Sequence, residues 1–123
     1  MNHNPLKFRV WDAEAEKFIY FPYHESMEIS INSYNPVIKF KSSDKLFPWK
    51  DIQQDTGVPD KFIHDIYEGD LISYRGRIGV VEFFAGMFVC SWNWGENDDQ
   101  TETELGYMLT AEMEIVGHKY KTT

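Results

Sequence analysis

The stretch Ile66–Trp92, IYEGDLISYRGRIGVVEFFAGMFVCSW, decides the fold, because strand formers and turn residues alternate through it with a regularity seen nowhere else in the chain. It reads as three antiparallel strands, Leu71–Tyr74, Arg77–Phe84 and Met87–Trp92. Gly69-Asp70 opens the first, and Arg75-Gly76 and Ala85-Gly86 supply the two reversals, each with a glycine that tolerates positive φ. Apolar residues fall on both faces: Ile78, Val80 and Phe84 point one way and Val81 and Phe83 the other, while Phe88, Cys90 and Trp92 oppose Met87 and Val89. A sheet apolar on two sides must curl into a barrel, take a second layer or be buried in an oligomer.

Working outward toward the N-terminus, Leu6–Trp11 (LKFRVW) and Phe18–Phe21 (FIYF) read as one hairpin with Phe8 and Val10 on a shared face. Met27–Ile31 (MEISI) and Val37–Lys41 (VIKFK) read as a second, with Ile38 and Phe40 facing inward. Pro48 predicts the first turn of a short helix over Pro48–Asp55 with Gly57 as its terminator, and Thr56–Asp65 reads as a connection. Toward the C-terminus, Asn93–Thr103 (NWGENDDQTET) predicts an exposed loop, and Thr101 with Glu104 matches a capping box for one helical turn near Leu105–Leu109. Glu112–Tyr120 (EMEIVGHKY) supplies a closing strand with Met113 and Ile115 on one face. The expected architecture is mainly β: a single domain over 1–123, with an N-terminal hairpin lobe over about 5–50 and a C-terminal meander over about 65–121. That meander is expected to curl as an SH3-like partial barrel, with one or two short helices beside it.

A chain of 123 residues, 42% apolar and 16% aromatic, has enough bulky surface for one core and is too short for two domains of ordinary size. Cys90 is the one cysteine and lies inside a strand, so it reads as a small buried apolar side chain in a reducing cytoplasm. The opening residues MNHNPLKFRVW have no apolar secretion core, and no stretch approaches the roughly 18 to 20 apolar residues that span a bilayer. Neither secretion nor membrane insertion is expected. The net charge of -8 is uneven: residues 1–50 carry 7 basic and 6 acidic side chains, and residues 51–123 carry 5 and 14, which leaves -9 on the second part. Such a field repels phosphate backbones and argues against general nucleic-acid binding.

Several segments, in the right order over nearly the whole chain, resemble the YopX family of small bacteriophage and prophage proteins. KFRVWD (Lys7–Asp12) is similar to that family's opening strand and turn, and DTGVPD (Asp55–Asp60) to its Thr-Gly turn. IYEGDLI (Ile66–Ile72) with YRGRIGVVEF (Tyr74–Phe83) resembles its most recognisable segment, and EIVGHKY (Glu114–Tyr120) its last strand. The family usually places a glycine between the Thr-Gly element and IYEGD, where this chain has Phe62-Ile63-His64, so a loop of different shape is expected. Residues 21–49 find no counterpart. The resemblance implies a mainly β protein that self-associates in a bacterial host, without enzymatic activity, cofactor or catalytic residues.

The residues themselves agree with that implication. His3, His24, His64 and His118 are scattered without HxxH, HxxxH or CxxC spacing, so no metal site is expected. Cys90 has no cation nearby in sequence to activate it, and no helix start follows any of the glycines at 69, 76, 79 and 86, which read as turn and close-packing positions. Glu68 and Asp70 could be mistaken for a catalytic carboxylate pair; the simpler reading is a turn in which Asp70 accepts backbone N–H groups. The best candidate ligand surface is Tyr74, Arg75 and Arg77 at the first tight turn with Trp92 and Trp94 after the third strand, since small barrels bind single strands with aromatics and cations. Burial of Trp92, under the N-terminal layer or at a subunit interface, is the stronger reading. The function expected is an accessory role through protein contacts, with itself or with a phage or host protein. A nucleic-acid module and an acidic decoy, presenting Glu96, Asp98, Asp99, Glu102 and Glu104 to a basic host protein, are the alternatives.

Overall fold

The computed structural model describes residues 7–22, 27–32, 35–40, 46–92 and 101–122. In chain order the strands are β1 (Lys7–Asp12), β2 (Lys17–Pro22), β3 (Met27–Asn32), β4 (Asn35–Phe40), β5 (Leu46–Pro48), β6 (Ile52–Pro59), β7 (Asp65–Tyr67) and β8 (Asp70–Tyr74). They continue as β9 (Arg77–Phe84), β10 (Met87–Ser91), β11 (Glu102–Glu104), β12 (Met113–His118) and β13 (Lys121–Thr122). Single 3-10 turns at Trp49–Asp51, Leu105–Tyr107 and Thr110–Glu112 are the helical content of the described residues. The protein is thus mainly β, as the alternating pattern predicts. No helix among those residues is long and apolar enough to cross a membrane. The chain divides into two compact units, 1–54 and 55–123.

In the first unit β1 pairs antiparallel with β2 and, through Phe8, Arg9 and Val10, with Gln54, Gln53 and Ile52 of β6. Alternation along β1 places Phe8 and Val10 on the expected shared face, where Val10 and Phe47 are buried and Phe8, Ile19 and Ile52 pack against them. The other face of β1 holds a buried cation: Arg9 stacks its guanidinium 3.8 Å above the centre of the Phe18 ring and donates from Nε to Gln53 Oε1 at 2.7 Å. The 12–17 reversal is built by Asp12, whose Oδ1 accepts the N–H groups of Glu14 and Ala15. β3 pairs with β4 from Met27↔Phe40 to Asn32↔Asn35, which bears out the second hairpin, and β5 adds a third strand to it. The side chains of Ile38 and Phe40 lie outside the description.

The helix expected over Pro48–Asp55 shrinks to the turn at Trp49–Asp51, because the chain enters β6 at Ile52. Pairing with β1 wins over local helix propensity there. Gly57, read as a helix terminator, sits inside β6 in an irregular stretch between the pairs Asp55↔Tyr67 and Pro59↔Asp65.

In the second unit the meander forms as read, and its sheet runs β11-β10-β9-β8-β12-β13, curled into a half-barrel. Both reversals have two consecutive residues at positive φ, Arg75 and Gly76 at 50° and 81°, Ala85 and Gly86 at 52° and 84°. These are type I′ turns, whose twist matches that of the strands they join. The face carrying Ile72, Val81, Cys90, Trp92 and Met113 forms the core with Ile66, Leu105 and Met108. Leu71, Val80 and Val89, on the other face, are also buried. Gly79 makes room in the core: a Cβ there would lie 2.6 Å from Cys90 Sγ and 2.9 Å from Trp92 Cε3. The expected loop over Asn93–Thr103 ends early, since Glu102–Glu104 forms β11 against β10. The turn at Leu105–Tyr107 is present, but no side chain caps it, so Thr101 and Glu104 do not act as a capping box. The closing strand spans Met113–His118 with a bulge between Ile115 and Gly117, and Met113 and Ile115 face the core as expected.

Candidate interaction site

The tight turn Tyr74–Arg77 brings four of the five candidate residues together. Tyr74 and Arg77 close the β8–β9 hairpin as a cross-strand pair, and Trp92 follows the strand beside them. The rings of Tyr74 and Trp92 stack at 6.0 Å, with the Arg77 guanidinium carbon 5.1 Å from the Trp92 ring and that of Arg75 at the same distance from Tyr74. Trp94 lies outside the described residues.

What surrounds these groups sets what they can do. Trp92 is 8% exposed, donates from its indole N–H to Thr103 Oγ1 at 2.7 Å, and fits the notch left by Gly79. A stacking platform for bases needs a free ring face, and burial removes it. Arg75 grips Glu112 with two parallel bonds, Nε to Oε1 at 3.1 Å and Nη2 to Oε2 at 2.9 Å. That hydrogen-bonded pairing raises the Arg75 pKa and lowers that of Glu112 below the ordinary carboxylate value. Arg77 Nη2 donates to Thr101 Oγ1 at 3.2 Å, and the Tyr74 hydroxyl oxygen accepts the Leu109 N–H. The cluster therefore ties the first turn to the 101–112 segment. Of the acids read as a decoy surface, Glu102 and Glu104 are exposed on β11, and Glu96, Asp98 and Asp99 lie outside the described residues.

Two features escape a reading of the sequence. The first is the loop 60–64, built on the buried carboxylate of Asp60. Its Oδ1 accepts the N–H groups of Phe62 and His64, both at 2.9 Å, and its Oδ2 accepts that of Ile115 at 3.2 Å. Burial pushes this carboxyl upward, but the three N–H donors and the nearby His64 outweigh it and leave the pKa below its usual value. His64 thus faces Asp60, at 3.8 Å, as well as neighbouring Asp65 in sequence. The loop holds Ile63 at φ 64° and 83% exposed, a left-handed conformation that a β-branched residue rarely adopts. The second feature is the tip of the β9–β10 hairpin, where Phe83 and Phe84 are 56% and 57% exposed and Met87 lies beside them. Phe83 meets Phe88 edge-on at 5.1 Å.

The described residues weighed for catalysis take other roles. Cys90 is buried, and desolvation pushes its thiol up to about 12. Asp70 is buried and its Oδ2 accepts the Tyr67 N–H at 2.8 Å, in the turn role assigned to it, while Glu68 sits in the turn itself. Among the described residues no three His, Cys, Asp or Glu side chains gather to hold a metal.

Comparison with curated proteins finds no match. Residues 7–123 match the family described as YopX protein, across both compact units, and the chain belongs to that family.

Proposed function

We propose that this is a non-enzymatic accessory protein of phage or prophage origin that acts by protein contact and self-associates in the cytoplasm of its bacterial host. The observation that carries the reading is the β9–β10 tip, where Phe83, Phe84 and Met87 stand in water on a well-formed hairpin. Contiguous exposed apolar patches mark interaction surfaces, and aromatic residues and Met are enriched there. At the opposite end of β9 the Arg75 guanidinium is engaged by Glu112, so that turn offers a paired charge where the tip offers exposed apolar side chains. Light scattering on the full chain over a hundredfold dilution from micromolar concentration tests self-association. A mass above that of one chain that falls on dilution is the expected result, and one chain mass throughout would overturn it.

A further inference from the structure

The β9–β10 hairpin outruns both of its neighbours. β8 pairs with β9 from Tyr74↔Arg77 only as far as Leu71↔Val80, and β11 pairs with β10 only from Ser91↔Glu102 to Val89↔Glu104. Beyond those pairs, Phe83, Phe84, Met87 and Phe88 continue with no flanking strand among the described residues. Backbone groups along an antiparallel strand alternate in direction. Because Phe84 and Met87 close the two-residue turn, the N–H and C=O groups of Phe84 and Glu82 point toward β10, and those of Val81 and Phe83 point away from it. The C=O of Val81 accepts the Gly69 N–H at 2.8 Å. Phe83 is the next residue to face that side, and no described strand meets it there.

We infer that this edge pairs with the same edge of a second copy of the chain, antiparallel about a twofold axis at Phe83. The inference rests on the self-association reading and specifies its surface. One residue with both backbone groups turned outward is complementary to itself: across a twofold axis, each Phe83 N–H donates to the C=O of the other copy's Phe83. The side chains suit the same register. On one face the two Phe83 rings come opposite each other, each already resting on its own Phe88, and four rings gather. On the other face Glu82 of each copy stands opposite Phe84 of the other, so no two carboxylates are directly opposed in a chain of net charge -8.

Three variants of the full chain, followed by sedimentation equilibrium and circular dichroism, test this pairing. Glu82→Val replaces two Glu–Phe pairs per dimer by two Val–Phe pairs and should tighten dimerisation by about two- to thirtyfold. Phe83→Pro removes the edge N–H and should weaken it by about tenfold or more. Tyr107→Ser, at a side chain 81% exposed outside the hairpin, should leave it unchanged. If Phe83→Pro loses the native spectrum, Glu82→Val decides alone. A dimer whose affinity neither hairpin variant alters would overturn the edge pairing and leave self-association standing. Wild-type and Glu82→Val chains that both remain monomeric would overturn both.

Discussion

The Oδ2 oxygen of Asp60 accepts the backbone N–H of Ile115, 55 residues further along the chain, at 3.2 Å. The same carboxylate holds the 60–64 loop through Oδ1, and Lys61 N–H donates to the C=O of Met113 beside it, so one buried side chain fastens the loop to β12. Asp60→Ala strands three donors and should cost about 3 kcal/mol or more, read from urea midpoints. The pH dependence has a definite sign. A carboxyl whose folded pKa lies below its unfolded value of 3.8 stabilises the fold fully above that value and loses the contribution as pH falls through the folded pKa. The stability gap between wild type and Asp60→Asn should therefore stay constant above about pH 5 and close in stronger acid.

Ile63 holds φ at 64° with its side chain in water, so it bears a conformational cost without a packing return. Ile63→Gly should stabilise by about 1 kcal/mol, the relief of left-handed strain less the added entropy of the unfolded chain. A drop in melting temperature instead would mean that the exposed isoleucine is held by contacts of its own.

Gly76 and Gly79 predict two different kinds of damage. Gly76→Val meets open space but forces a β-branched residue to φ 81°, and should cost about 2 kcal/mol, whereas Gly106→Val, with open space and no positive φ, should cost much less. Gly79→Ala needs no unusual backbone yet drives a methyl against Cys90 and Trp92, and should cost about 1–3 kcal/mol. Thermal melts of the three variants separate turn strain from overpacking, since only Gly79→Ala should also shift the tryptophan fluorescence.

The Cys90 thiol, pushed up to about 12 by burial, should resist a disulfide reagent at pH 8 in the native state and react at once in denaturant. Its linkage runs opposite to that of Asp60. The folded chain keeps a proton that the unfolded chain releases near pH 9, so this group lowers stability as pH rises beyond that point.

Nucleic-acid binding should be absent at about 0.15 M salt, where screening reaches about 8 Å. Lowering the salt should not reveal a site, because Arg75 is occupied by Glu112 and Trp92 is covered. Affinity that falls linearly in log salt, and that vanishes in a variant with Arg75, Arg77 and Trp92 all changed to alanine, would return the protein to the nucleic-acid class.

The meander was legible in the sequence because its signals are local: Arg-Gly and Ala-Gly mark the turns, and the strands between them show on their own. The segment 48–59 reads as helix and connection for the opposite reason. Pro48 and Gly57 look like helix punctuation, and only pairing with the distant β1 and β7 makes Ile52–Pro59 a strand. Proximity of Tyr74, Arg75, Arg77 and Trp92 followed from the hairpin, but their condition did not. Glu112, Thr101 and Thr103, which engage them, come from a segment whose path no periodicity encodes. Nor does composition distinguish the exposed Phe83 and Phe84 from the buried Val80 and Val81 earlier in the same strand; that difference arises where β8 stops.

The two type I′ turns also bear on the order of folding. β8, β9 and β10 meet their partners across two-residue reversals, whereas β12 must travel back from beyond β11 to align Ile115 with Ile72. Closing short loops precedes closing long ones, so the three-strand meander is the expected nucleus and β12, with its link to Asp60, docks late. Substitutions at Gly76 should then chiefly slow refolding, and Ile115→Ala should chiefly hasten unfolding. A chain that nucleates in this way carries its projecting hairpin from the start, with the Phe83 edge displayed before β12 has closed the sheet.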